Sequence, residues 1–233
     1  MKPPRRDVRR AQQCGRVRRP VSAIVLALLS WGCGGCAGKR SETTLEARAI
    51  APPVPGQLAG PNAFRHIDSD VDRARALFLE ASKVLTHPRC ANCHPPDDHP
   101  RQRNSHDLHV PPVERGPDDR GIPGLMCSSC HQDQNVVGTR VPGAPKWHLA
   151  PREMVWLGRS AAAICEQIKD PKRNGGKTLA QIVEHSAHDE LVAWGWNPGA
   201  DREPAPGTQA ELGALMQAWV DAGASCPIEE TKR

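Results

Sequence analysis

Large aromatic side chains are scarce in this chain, which has no tyrosine, two phenylalanines and six tryptophans among 233 residues. Such side chains normally supply much of the buried area of a core. Their scarcity predicts a core with few large protein side chains, in which another group supplies the missing apolar bulk.

Long apolar runs are also absent. The main apolar stretch, residues 21–29, is far shorter than the roughly 20 residues that a membrane-spanning helix needs. It follows a segment rich in Lys and Arg, residues 1–19, and precedes small residues around Cys33 and Cys36. This is the three-part layout of a secretory signal, so the sequence predicts export with residues 1–36 as the signal.

The signal can be processed in two ways, by lipid attachment or by simple cleavage. Cys33 and Cys36 each follow a glycine just after the apolar run, as the lipid-modified first residue of a bacterial lipoprotein does. In the Cys33 version, Trp31 occupies a position usually given to a small residue, so simple cleavage to a soluble protein is an equal alternative. The expected location is the periplasm, and the membrane is involved only through a lipid anchor at one of these cysteines.

The net charge becomes slightly negative once the signal is removed. The residues before Cys33 hold eight of the 31 Lys and Arg but one of the 26 Asp and Glu, which leaves 23 basic and 25 acidic residues. Nucleic acid and anionic membrane surfaces are therefore not expected partners. The expected partners are proteins.

Two Cys-x-x-Cys-His pentapeptides, residues 90–94 and 127–131, are the most informative feature of the chain. This pattern attaches c-type haem, because the two thiols bind the haem vinyl groups and the histidine binds the iron. It therefore predicts two covalent c-type haems. The attaching residues are Cys90, Cys93, Cys127 and Cys130, and the proximal iron ligands are His94 and His131.

Paired cysteines also hold structural zinc, so a small zinc-binding module is an alternative interpretation. Export favours haem, because covalent haem attachment suits that compartment, whereas an exported zinc ribbon would be unusual. Two porphyrins would also supply the apolar bulk that the few aromatic residues do not.

Five of the nine cysteines lie outside the two motifs. Cys14, Cys33 and Cys36 belong to the signal region, which leaves Cys165 and Cys226. In an oxidising compartment we expect these two to form a disulfide that joins distant parts of the second half. The alternative is two buried free thiols.

Proline and glycine divide the mature chain. Residues 37–66 are rich in both and have little apolar periodicity, which predicts a flexible linker. Apolar residues at helical spacing then predict a helix over 71–85, with Asp68 or Ser69 as its cap. Residues 95–152 are dominated by Pro, Gly, Asp and Arg and predict loops without strands.

The last third is predicted to be helical again. A short apolar face begins at Ala161, and Thr178 with Gln181 forms a capping box that opens the next helix. Thr208 and Glu211 repeat this pattern before a longer apolar stripe.

The predicted fold class is therefore mainly α with long Pro/Gly-rich loops. One small dihaem cytochrome c domain, organised around two covalent haems, is expected over 67–228 and is followed by a tail at 229–233.

A weak internal repeat indicates the distal iron ligands. A His-aliphatic-x-Pro sequence begins at His109 and again at His148, which lie 15 and 17 positions after the two proximal histidines. We interpret the two units as equivalent, each returning a histidine to its own haem. This predicts His109 opposite His94 and His148 opposite His131.

Three further residues compete for the distal positions. His87 stands three residues before Cys90, and His185 lies on the third predicted helix. Met154 is a thioether alternative, which would raise the reduction potential. Bis-histidine ligation predicts electron transfer, whereas a vacant or displaceable distal position predicts a haem oxidoreductase acting on peroxide or a sulfur compound.

The run over 81–196 resembles small bacterial dihaem c-type cytochromes, which genomes often label isoquinoline 1-oxidoreductase subunit. The segments that carry this resemblance are 87–95, 112–117, 124–132, 141–151, 164–167, 173–176, 194–196 and 203–209. The resemblance implies a cytochrome that serves a molybdenum hydroxylase of the xanthine oxidase class. The chain lacks the cysteines that iron–sulfur clusters require, so it is expected as the electron-accepting partner and not as a stand-alone catalyst.

Overall fold

The computed structural model describes residues 56–199 and 201–229. The predicted signal at 1–36 with Cys33 and Cys36, most of the predicted linker and the tail beyond Glu229 lie outside these residues. The described part is mainly helical, as the sequence predicts. None of its helices is both long and apolar enough to cross a membrane.

The α-helices flank a long central stretch, residues 92–160, that contains no α-helix. The α-helices are α1 (Asp70–Leu85), α2 (Pro88–Ala91), α3 (Ala161–Lys169), α4 (Leu179–His188), α5 (Glu190–Ala193) and α6 (Gln209–Asp221). Single 3₁₀ turns are formed by Pro61–Phe64, Cys127–Ser129 and Trp194–Trp196.

The principal helices begin at side-chain caps that the sequence predicts. The Ser69 hydroxyl accepts a hydrogen bond from the backbone N–H of Asp72 and starts α1. Thr178 and Gln181 form both halves of a capping box at the start of α4, and Thr208 caps α6 from its side chain. Each cap satisfies a backbone N–H that a helix start leaves without a partner, so these boundaries are determined locally.

The core lies where α6 packs against α1 and α4. Trp219 of α6 is fully buried, and its ring centre lies 5.0 Å from that of Phe78 on α1. The indole N–H donates to the carbonyl of Ser225, just past the helix. A disulfide between Cys165 of α3 and Cys226 holds the same end of the chain.

The folded region begins before residue 67. Leu58 is buried in the core, and the backbone N–H of Ala59 donates to the carboxylate of Glu80 at 2.8 Å. Further along the chain, the N–H of Gly207 donates to the carbonyl of Gly56. Residues 56–66, assigned to the linker from their composition, therefore pack against the helical domain.

The prediction that residues 95–152 lack strands is wrong. β1 (Arg101–Gln102) pairs antiparallel with β2 (Asp107–Leu108), and β3 (Gly121–Ile122) pairs antiparallel with β4 (Leu125–Met126). The first hairpin turns through positive φ at two non-glycine residues, Arg103 (64°) and His106 (57°). Asn104 and Ser105 in this turn are common turn residues, but two-residue strands are too short to show an alternating apolar pattern, so the sequence predicts a turn and not the hairpin.

Gly213 on α6 allows close contact with α4, the helix that carries His185. A Cβ added at Gly213 would lie 2.5 Å from the Cβ of Ala187. Alanine normally favours a helix over glycine, but here we expect Gly213→Ala to lower the free energy of unfolding by about 1–2 kcal/mol because the clash outweighs propensity. Guanidinium denaturation followed by circular dichroism measures this.

Ala187→Gly offers the matched control, because it removes the methyl group with which the new side chain collides. The double variant is expected to recover part of the loss. A Gly213→Ala variant as stable as the original protein would contradict the close packing of the two helices.

Candidate functional site

Both Cys-x-x-Cys-His motifs form a single helical turn. In the first, the backbone N–H of Cys93 donates to the carbonyl of Cys90 at 3.0 Å, directly after α2. In the second, Cys130 and His131 both donate to the carbonyl of Cys127, at 3.2 and 2.9 Å. Residues three apart lie on the same side of such a turn, so each motif presents its two thiols together.

The first motif lines a cavity of about 1030 Å³, measured with its open mouth. Cys90, Cys93 and His94 contribute to its wall. The remaining wall is largely apolar and includes Leu85, Trp156, Ile168, Ile182, Leu212 and Met216. Cofactor sites are typically clefts lined by apolar side chains with a few polar groups, and the lining of this cavity has that character.

The second motif lines a separate cavity of about 1270 Å³. Cys127, Cys130 and His131 all contribute to its wall. Most of the remaining wall comes from loops between residues 100 and 149, a stretch that contains no α-helix.

Both motif histidines are held in the same way. The Nδ1 of His94 donates to the carbonyl of Met154 at 2.9 Å, and the Nδ1 of His131 donates to the carbonyl of Pro142 at 2.7 Å. A carbonyl oxygen only accepts, so the proton must lie on Nδ1 in both rings. Each Nε2 is left with the lone pair that binds a metal ion.

Each of these rings also stacks on a tryptophan. His94 lies parallel to Trp156, with ring centres 3.4 Å apart, and His131 lies parallel to Trp147, with ring centres 4.6 Å apart. The sequence indicates only that these tryptophans pack near the cofactors. No spacing rule identifies Trp156, because it lies far from His94 along the chain and beyond the second motif.

Burial keeps both histidines neutral. Burial lowers the pKa of His94 to about 3, and it is also the main cause that lowers the pKa of His131. A histidine must be neutral to bind a metal ion, so both rings are in the required state at neutral pH.

Burial acts on the thiols in the opposite direction. It raises the pKa of Cys90 to about 12 and that of Cys93 to about 11, with a smaller contribution to Cys93 from the charge of Cys127. The thiols therefore remain protonated at neutral pH. Cys93 also lines the same cavity as Cys127 and Cys130, so the two motifs are neighbours.

His109 lies beside the second motif. Its ring centre is 5.8 Å from that of His131, and its Nδ1 donates to the carbonyl of Pro111 at 2.8 Å, which leaves Nε2 free. Both rings line the second cavity with Nδ1 occupied by a backbone carbonyl, so each can offer its Nε2 to a group held there.

The structure does not pair the histidines as the internal repeat predicts. His109 lies with His131 in the second cavity, whereas His148 lines the cavity of His94 as well as the second one. The cause is that the segment after the second motif contacts the first motif. The N–H of Ala150 donates to the carbonyl of Cys93.

His185 also lines the first cavity, and no part of it lines the second. Its Nδ1 lies 3.3 Å from a carboxylate oxygen of Asp189, and this hydrogen bond is the main cause that lowers the pKa of Asp189 to about 2. A carboxylate on Nδ1 orients an imidazole and makes Nε2 a stronger ligand.

His87 has a different role. Its Nδ1 accepts a hydrogen bond from the backbone N–H of Arg89 and caps α2, and its side chain lines neither cavity. In the neutral ring the proton is then on Nε2, which is the wrong tautomer for a ligand that binds through this atom. Met154 is buried beside the first cavity and contributes its backbone carbonyl to His94.

A zinc site is not supported by the geometry. Over residues 56–199 and 201–229, no group of three or more His, Cys, Asp or Glu side chains converges as a metal site. A zinc knuckle needs four such ligands. A haem needs protein ligands only on its axis, because the porphyrin supplies the others, so the residues present fit haem better.

The two cavities share a wall. Arg89, Cys93, His148 and Trp194 line both of them. The indole of Trp194 also meets that of Trp147 edge to face, with ring centres 5.0 Å apart. Groups held in the two cavities would therefore lie on either side of one layer of side chains.

No family model, curated protein or solved structure matches the chain.

Proposed function

We propose that the protein is an exported dihaem c-type cytochrome that transfers single electrons between a periplasmic dehydrogenase or molybdenum hydroxylase and a downstream acceptor. The main support is that each Cys-x-x-Cys-His motif lines its own cavity and has its histidine oriented by a backbone carbonyl. When bound, haem iron supplies one-electron redox chemistry.

The four motif cysteines would hold the two haems covalently. His94 and His131 would be the proximal ligands, because burial keeps them neutral and their Nδ1 atoms are already occupied. Apolar walls and the stacked tryptophans Trp156 and Trp147 would exclude water from the proximal side. The signal would direct the chain to the periplasm, as a soluble protein or as a lipoprotein anchored at Cys33 or Cys36.

For the distal ligands we propose His109 on the second haem and His185 on the first. The support is the placement of His109 beside His131 in the second cavity and the Asp189-oriented ring of His185 in the first cavity. Two histidines on each iron leave no open position for a substrate. The shared wall at Cys93 favours electron exchange between the two sites.

The deciding experiment counts the attached haems. The chain is expressed with its own signal and a c-type maturation system, and denaturing mass spectrometry is combined with a pyridine haemochrome spectrum. We expect the mass of two covalent haems per chain. Protein that carries no covalent haem would refute the proposal, and stoichiometric zinc in that protein would identify the zinc-binding module instead.

Distal ligation is tested by three alanine variants. His109→Ala and His185→Ala are each expected to shift one of the two haems from a low-spin to a high-spin absorption spectrum, because each loses an axial nitrogen. His148→Ala is expected to leave both spectra unchanged. His188→Ala is the control for α4, since this side chain is exposed on the same helix.

If His148→Ala changes the spectrum and His185→Ala does not, the distal ligand of the first haem is His148 and not His185. A first haem that is high-spin in the original protein would instead show an open iron site and support a haem oxidoreductase.

A further inference from the structure

Arg89 is a buried cation next to the first motif. It is 5% exposed and lines both cavities. One of its terminal nitrogens donates to the side-chain oxygen of Asn104, but its Nε has no hydrogen-bond partner among residues 56–199 and 201–229. A buried guanidinium is strongly destabilising unless an anion and sufficient acceptors surround it.

Most other arginines of the second cavity are already neutralised. Each of four has a carboxylate partner: Arg101 with Asp97, Arg103 with Asp107, Arg115 with Asp119, and Arg140 with Asp201. Arg89 and Arg202 differ from these. In the part of the chain that the structure describes, neither has a carboxylate at ion-pair distance.

Arg89 and Arg202 line the same cavity, that of the second motif. The two terminal nitrogens of Arg202 donate to the carbonyls of Pro198 and Arg140, which leaves its Nε as the remaining donor nitrogen. After burial, the charge of Arg202 is the largest cause that lowers the pKa of Arg89. Glu203 acts in the opposite direction on the pKa of Arg89, as Asp201 does on that of Arg202, but neither carboxylate forms an ion pair with them. Two such cations that line one cavity favour the binding of an anionic group.

We propose that Arg89 and Arg202 bind the propionate carboxylates of the haem attached at Cys127 and Cys130. This inference rests on the proposed dihaem function. The second haem is the partner because Arg202 lines only the second cavity. A guanidinium offers two parallel N–H donors to a carboxylate, and the unpartnered Nε of Arg89 supplies one such donor.

The pairing has a consequence for the iron. A carboxylate without a partner places negative charge near the haem and stabilises its oxidised form. Neutralisation by Arg89 and Arg202 therefore holds the reduction potential of the second haem higher than it would otherwise be.

The test is a redox titration of the fully matured protein and of Arg89→Gln, Arg89→Lys and Arg202→Gln. In the two glutamine variants we expect two covalent haems to remain, one midpoint potential to fall, and that potential to become more dependent on pH. The pH dependence arises because an unpaired propionate takes up a proton more readily when the iron is reduced. Arg89→Lys keeps the charge and is expected to retain most of the original potential.

Arg173→Gln is the control for net charge, because Arg173 pairs with Asp170 and lines neither cavity. If the original protein and both glutamine variants have the same midpoint potentials, the inference is wrong. A rise of the potential when phosphate is removed from the buffer of the original protein would also overturn it, because the arginines would then have been neutralised by a free anion and not by the propionates. Absence of covalent haem in the original protein would refute the proposed function itself, which is a separate result.

Discussion

Replacing Cys127 and Cys130 together by alanine is expected to remove one of the two haems and leave the helical core folded. The second motif lies in the central loops, and neither cysteine belongs to the hydrophobic core. Loss of both thiols removes the covalent bonds to one haem and leaves the first motif intact. Denaturing mass spectrometry should find one haem per chain, while far-ultraviolet circular dichroism keeps its helical signal.

Replacing Cys90 and Cys93 together by alanine is expected to have a larger effect on folding. Cys90 packs against the core formed by the helices, and the first cavity is walled by residues of α1, α3, α4 and α6. A chain without this haem would expose apolar side chains that the porphyrin otherwise covers. Lower protein yield and a lower Tm than for the Cys127 and Cys130 variant are expected.

The second motif contains its own control. Ser128 and Ser129 occupy the two variable positions between the cysteines, and both are exposed. Replacing both by alanine should leave two haems attached. Two haems in either double-cysteine variant would show that the motifs do not hold them and would contradict the proposed function.

Removal of the Cys165–Cys226 disulfide is the second change with a large expected effect. The bridge closes a loop with a sequence separation of 61 residues and ties α3 to the chain beyond α6. Loop-closure entropy predicts that the double alanine variant loses about 4 kcal/mol of unfolding free energy. Guanidinium denaturation of the matured protein measures the difference.

Reduction supplies an independent control for this prediction. A thiol reductant breaks the disulfide but not the thioether bonds to haem, so it should destabilise the original protein by a similar amount. It should have no effect on the double alanine variant. If the variant and the original protein unfold at the same denaturant concentration, the bridge contributes nothing to stability.

The helices could be predicted because their signals are local. Ser69 and Thr178 lie within one turn of the N–H groups that they satisfy, and the apolar positions repeat at the helical period. The two haem motifs are equally local, since five consecutive residues define each one.

The positions of His109 and His148 relative to the two motifs could not be predicted, because they depend on the path of the chain between the motifs. The repeat at His109 and His148 suggests two similar units that lie side by side. In the structure the segment around Ala150 instead crosses to the first motif and places His109 by the second. Hydrogen bonds between residues far apart in sequence determine this path, and no local pattern encodes them.

The end of the predicted linker shows a similar limit. Two apolar side chains join this proline-rich stretch to the folded domain, because Leu58 is buried in the core and Phe64 packs against it. Two apolar residues six positions apart give no periodicity, so composition alone assigns their surroundings to the linker.

The crossing of the chain also affects the order of assembly. The carbonyl that orients His94 belongs to Met154, 60 residues further on, and the tryptophan stacked on His94 follows two residues later. Under the proposed function the chain would be exported from its N-terminus, so the first motif would reach the periplasm before the segment that completes its pocket. The thiols of Cys90 and Cys93 would then face an oxidising compartment until Trp156 arrives, and haem attachment would have to precede the oxidation that joins them to each other.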